Sequence, residues 1–112
     1  SALRDCKLAL GLDHLRFEKG EKAEIGIYVL NDLSEPLKGY DYNITLICDD
    51  DDETKIELMS ASFGEIPGCS SAKIGVLKFK VPENLTKTFR LSIICSEIDL
   101  SETYTLFRKD EK

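Results

Sequence analysis

The chain has no tryptophan, one histidine, one methionine and only three prolines among 112 residues. Tryptophan is the strongest ring for stacking on a sugar, so a carbohydrate platform would have to use tyrosine alone. The one histidine, His14, has no Cys or Ser partner in a recognisable motif, and reads as a solvated side chain rather than a general base. No glycine-rich phosphate loop and no C-x-x-C pair occurs, so no cofactor or zinc site is implied. No apolar run approaches the ~20 residues of a membrane span. Lysine and arginine do not cluster along the chain and the formal net charge is −6. Nucleic acid and anionic membrane surfaces are therefore not the expected partners.

What is present reads as a single soluble globular domain over residues 1–112, with an ordered core of about 7–107 and a polar tail at 108–112. Hydrophobic residues make up 42% and charged residues 32%, which separates the chain from disordered sequences. The start mixes charged with apolar residues, unlike a secretory leader, and lacks an initiating Met. The expectation is a piece of a longer bacterial protein, cytoplasmic, or exported if a parent chain carries a leader.

The apolar pattern has period two nearly throughout. Strands are expected at residues 8–12, 23–30, 40–48, 56–63, 72–81, 89–96 and 100–107. About seven short antiparallel strands in two sheets, with turns between, is the pattern of an all-β immunoglobulin-like sandwich. Four outward positions are apolar, Tyr28, Leu30, Ile47 and Ile94, which motivates the expectation that one outer face contacts a neighbouring domain. Tyr40 and Tyr42 share parity with Ile44 and Leu46 and are expected to cap the core.

Five consecutive acids, Asp49 to Glu53, separate the third and fourth strands. Calcium takes six to eight oxygens, and its loops space their acids around a sharp glycine turn. Here the acids are contiguous and no glycine is among them, so the pattern favours a charged hairpin tip. The cysteines, Cys6, Cys48, Cys69 and Cys95, are expected as free thiols. Strand direction puts Cys48 at the far end from Cys95, leaving Cys6–Cys95 as the one pairing worth checking. Two Asn-x-Thr triplets, at Asn43 and Asn84, read as chance.

Several short stretches sit at strand ends: Gly20-Glu21, Asn31-Asp32-Leu33, Pro36-Leu37-Lys38-Gly39, Val81-Pro82, and a last strand with Tyr104 and Phe107. Each has a structural reading. Gly20 suits a positive φ, Asn31-Asp32 an Asx-turn, Pro36 and Gly39 turn positions, and Tyr104 a ring on the core with its hydroxyl on backbone. Taken together they resemble the immunoglobulin-like domain that follows the catalytic barrel in family 2 glycoside hydrolases, the β-galactosidases, β-glucuronidases and β-mannosidases. The usual Asn of the last-strand motif is replaced by Thr103. The resemblance implies a non-catalytic accessory domain of a retaining glycosidase, packed against other domains of its parent chain. The alternative reading is a free-standing carbohydrate-binding or adhesion module. No residue here is assigned a catalytic role, because nothing matches the barrel that would hold two glutamates ~5–5.5 Å apart.

Overall fold

A computed structural model describes residues 5–109. Eight strands follow in chain order: β1 (Cys6–Gly11), β2 (Arg16–Phe17), β3 (Lys22–Asn31), β4 (Asp41–Cys48), β5 (Lys55–Ser62), β6 (Ser70–Lys80), β7 (Thr88–Cys95) and β8 (Leu100–Arg108). A single 3-10 turn, Ser96–Ile98, joins the last two. One sheet has the order β1-β3-β6 and the other β2-β8-β7-β4-β5. All pairings are antiparallel except β2 with β8. This is an immunoglobulin-like β-sandwich, with the hairpin strand β5 on the edge of the larger sheet and, among the described residues, no further strand beyond β6.

The period-two patterns bury as expected. On β3, Ala23, Ile25, Ile27 and Val29 are buried, and on β4 Tyr42, Ile44, Leu46 and Cys48 are. The β4 set stands beside Phe89, Leu91, Ile93 and Cys95 of β7, all fully buried, and the β3 set faces both from the other sheet, so that together they form one core between the sheets. Two strands each carry one extra residue. β6 bulges at Ile74, opposite Ile27 and Tyr28, and β5 bulges at Leu58, opposite Ile44 and Thr45.

Three departures from the sequence reading have physical causes. β2 was not expected, because two residues in a polar stretch show no alternation. It forms because Phe17, 1% exposed, sets its ring 6.2 Å from that of Phe89, and this holds Arg16–Phe17 beside the end of β8. Arg108 and Lys109 are also not a loose tail. Arg108 donates from backbone N to Lys87 O and from Nη1 to Leu85 O, and Lys109 N donates to Phe17 O at 2.7 Å. Residues 110–112 lie outside the described range. Gly39 serves a close approach rather than a turn with positive φ: a Cβ there would fall 2.0 Å from Phe63 O.

One side chain organises the end of the sandwich where β3 stops. Asn31 is fully buried. Its Nδ2 donates to Glu35 O at 3.0 Å, Ile66 O at 3.2 Å and Pro67 O at 3.1 Å. Its Oδ1 accepts from Leu33 N at 3.0 Å, closing the expected Asx-turn, and from the Cys6 thiol at 3.5 Å. The loop after β3 and the loop before β6 are thereby clamped together. Around the amide they also pair directly, Leu37 with Ile66 in both directions and Cys69 N to Leu33 O. Across the sandwich, Tyr104 Oη accepts from Leu10 N at 3.1 Å and ties β8 to the edge of β1.

Asn31→Ala should lower unfolding free energy by about 1–3 kcal/mol, because Glu35 O and Leu33 N lose the amide that serves them, while Ile66 O and Pro67 O keep only their second donors, Leu37 N and the Ser70 hydroxyl. Urea denaturation with an unchanged m-value would measure it. Tyr42 gives the opposite sign. Its ring lies beneath Gly75, where a Cβ would meet the hydroxyl at 2.9 Å, and that buried hydroxyl has no hydrogen-bond partner among the described residues. Burial pushes its pKa up. A raised acid group favours the folded state fully below its unfolded pKa, and that contribution is lost as pH rises through the folded pKa. Tyr42→Phe should therefore be neutral or stabilising at pH 7. It should also flatten the loss of stability above about pH 10, the ordinary value for this group.

Candidate interaction face

The acid run forms the tip of the β4–β5 hairpin. Cys48 N donates to Thr54 O, and Glu53, at φ 48°, donates from its backbone N to Asp50 O. Thr54 donates from backbone N to Asp50 Oδ1 at 2.9 Å and from its hydroxyl to Oδ2 at 2.7 Å, holding that carboxyl below the usual range. Asp49 accepts from the Thr88 hydroxyl at 2.6 Å, and Arg90 bridges Asp49 and Glu53 at 3.4 and 3.2 Å. Three of the five acids thus hold the turn, while Asp51 and Asp52 are exposed. Among the described residues no group of three His, Cys, Asp or Glu side chains converges as a metal site requires. Adding calcium or a chelator should leave the melting temperature unchanged, which a thermal scan would show directly; a calcium-dependent rise would return the run to a metal site.

His14 is exposed, with Nδ1 2.7 Å from Asp13 Oδ1 and its ring 4.5 Å from that of Phe17. All four cysteines are free; Cys6, Cys48 and Cys95 are buried, and burial raises the Cys6 and Cys95 pKa values. The turn residues hold their places. Gly20 has φ 79° and donates from backbone N to Val81 O, the residue preceding Pro82. Asp32 donates from backbone N to Asp5 O, and Pro36 is exposed on the clamped loop. Phe107 turns outward, 37% exposed, beneath the Arg16 guanidinium at 5.9 Å, while Leu106 takes the core position.

The four apolar positions expected on one contact face divide between two. Tyr28 and Leu30 lie on the outer face of the three-stranded sheet, Ile47 and Ile94 on the outer face of the five-stranded one. Ile94 pairs with Asn43, four residues or about 13 Å along β4 from Ile47, so these two do not form one patch either. Between them runs a row of small polar side chains, Thr103, Ser92 and Thr45.

The face of the three-stranded sheet is different. Tyr28 lies across two glycines: a Cβ at Gly26 would come within 2.9 Å of its ring, and one at Gly11 within 3.0 Å. Gly11 and Gly26 are cross-strand partners, so the missing side chains make a shallow seat that the ring covers. Ala9 and Val76 flank it half-buried, and Leu30 continues it. Around this apolar centre stand five exposed lysines. Lys22 faces Lys80, Lys78 faces Glu24, Lys73 faces Tyr28 and Lys7 faces Leu30. Within the strands five lysines stand against one glutamate, but Asp5 and Asp32, paired through backbone beside Lys7 and Leu30, offset the charge at that end, so the basic excess lies at the Lys22, Lys78 and Lys80 end of a chain whose total is −6. Lys22, Glu24, Lys78 and Lys80, together with Ala23 and Phe79, line an open cavity of about 370 Å³.

This grouping was hidden in the sequence because it needs the β3–β6 register. The legible part was Lys78 and Lys80 sharing one face of their strand; their neighbours arrive from β1 and β3.

No protein-family model matches the chain, and no curated protein matches it. The fold has a solved counterpart. Spo0M, a sporulation control protein from Bacillus subtilis, superimposes with a TM-score of 0.63 over 96% of this chain at 16% identity. This chain spans half the length of that one. At such identity the likeness is one of fold. It overturns the resemblance to family 2 glycoside hydrolases: this structural counterpart is a sporulation control protein, and neither a family model nor a curated protein supports a glycosidase. The reading as a carbohydrate-binding or adhesion module finds no support either. The residues behind that resemblance, Gly20, Asn31, Gly39 and Tyr104, do jobs that the sandwich itself demands, so they report a fold and not a family.

Like charges directly opposite each other on antiparallel strands are destabilising. Lys80→Glu should therefore stabilise the domain by roughly 0.2–1 kcal/mol, by giving Lys22 an opposite charge. A chemical melt of the two forms would test this, and a lower midpoint for the variant would show that the pair does not repel.

Proposed function

We propose that this chain is a non-catalytic interaction module that works through the outer face of its three-stranded sheet. The observation that carries the reading is the unpaired Lys22–Lys80 juxtaposition beside the Tyr28 seat. Like charges opposite each other disfavour strand pairing, and the chain holds an excess of acids that could have neutralised this pair. Asn31 is occupied with loop carbonyls and Tyr104 with Leu10 N, so neither is offered to a ligand. A flat face with an aromatic centre and a charged rim has the composition of a protein contact. The description of Spo0M as a control protein accords with a role exercised through contacts, in a chain where this sandwich corresponds to one half.

Lysine acetylation of the native protein in its cell extract, compared with the purified chain, tests the reading. Lys22, Lys78 and Lys80 should be protected in the extract, while Lys55 and Lys87, outside the face, react equally in both. Equal reactivity at all five positions would remove the face as a working surface.

A further inference from the structure

Resting on that reading of the face, we propose that its occupant is an acidic protein surface with an apolar centre. The charge asymmetry decides the sign: Lys22, Lys78 and Lys80 against Glu24 give one end of the face a formal +2 in a chain whose total is −6. It also decides the class. Screening at physiological salt has a length of about 8 Å, so a discrete acidic patch feels mainly the lysines it touches. A membrane or a nucleic-acid duplex extends well past the face and meets the acidic remainder of the molecule as well. No arginine is among the five cations, although its fork is the better match for phosphate.

Geometry sets the partner's pattern. Lys22, Lys78 and Lys80 stand at one end of the strands, Lys7 and Lys73 toward the other, with the Tyr28 seat between. The eight-residue step from Lys22 to Leu30 spans about 26 Å, and three strands span roughly 10 Å between the outer axes. The partner therefore carries carboxylates at one end of a short apolar stretch, set against Lys22, Lys78 and Lys80, while its apolar part meets the Tyr28 seat. A footprint of this size is well below the ~800 Å² per partner of a standard interface, so binding is weak and salt-sensitive.

The test uses poly-L-glutamate of about 20 residues as probe. Phosphatidylserine–phosphatidylcholine vesicles and a short DNA duplex serve as competitors, against the wild-type chain and a triple K22Q/K78Q/K80Q variant. The variant's melting temperature is checked first, and these exposed positions should leave it folded. The expected result is poly-glutamate binding at low salt that weakens on raising salt and falls about tenfold in the variant, as three rim charges of a few tenths of a kcal/mol each imply. Tighter binding to vesicles or DNA would overturn the proposal, as would poly-glutamate binding that the variant retains, or none at all. Self-association in sedimentation that the variant abolishes would overturn it in favour of a second copy. Failure here with lysine protection still seen in the extract would reject the partner class and keep the face; absence of that protection would reject the face itself.

Discussion

The carboxamide of Asn31 is the interaction on which one whole end of the molecule depends. It stands at the last position of β3, where the sheet's own hydrogen bonding stops and two loops must cross over the core. Backbone carbonyls buried there need donors, and a side chain with two N–H groups and one oxygen can serve both loops at once. Leu37 and Ile66, both 4% exposed, can then close the core beneath those loops. An aspartate of the same shape would turn an acceptor toward three carbonyls. Asparagine is therefore required here for its donors as well as for its tolerance of turns.

A clamped loop pair leaves the sheets free to differ in their outer faces. The five-stranded sheet presents a neutral row of threonine and serine, the three-stranded sheet its lysines around Tyr28. Both inner faces are alike in chemistry, since each serves the same core. Specialisation is thus confined to outward positions, where a substitution costs little fold stability. The hairpin tip shows the same economy: contiguous acids that look like a ligand set are used to cap Arg90 and fasten a turn.

Much of the fold was legible, because burial in a sandwich imposes period two and the strands from β3 onward obey it. The inward placement of Tyr42 and the Asx-turn at Asn31 followed from parity and side-chain chemistry alone. β2 was invisible because its existence depends on Phe17 finding Phe89, more than seventy residues away. The candidate site was hidden for a related reason. Lysines at 7, 22, 73, 78 and 80 look scattered along the chain, and only the register of β1 on β3 and of β3 on β6 assembles them. Turn residues misled in the other direction: glycines and asparagines forced by the architecture looked like the signature of one enzyme family.

Amide hydrogen exchange of the folded chain tests the central claim, that Asn31 locks the two loops into the cooperative core. The amides of Leu33, Leu37, Ile66 and Cys69 lie in those loops and donate within the clamp. They should exchange only through global unfolding, with the same opening free energy as the central amides of β4 and β7. Rapid exchange at these four amides, while the sheet amides stay protected, would show that the loops open on their own and that the carboxamide does not hold them.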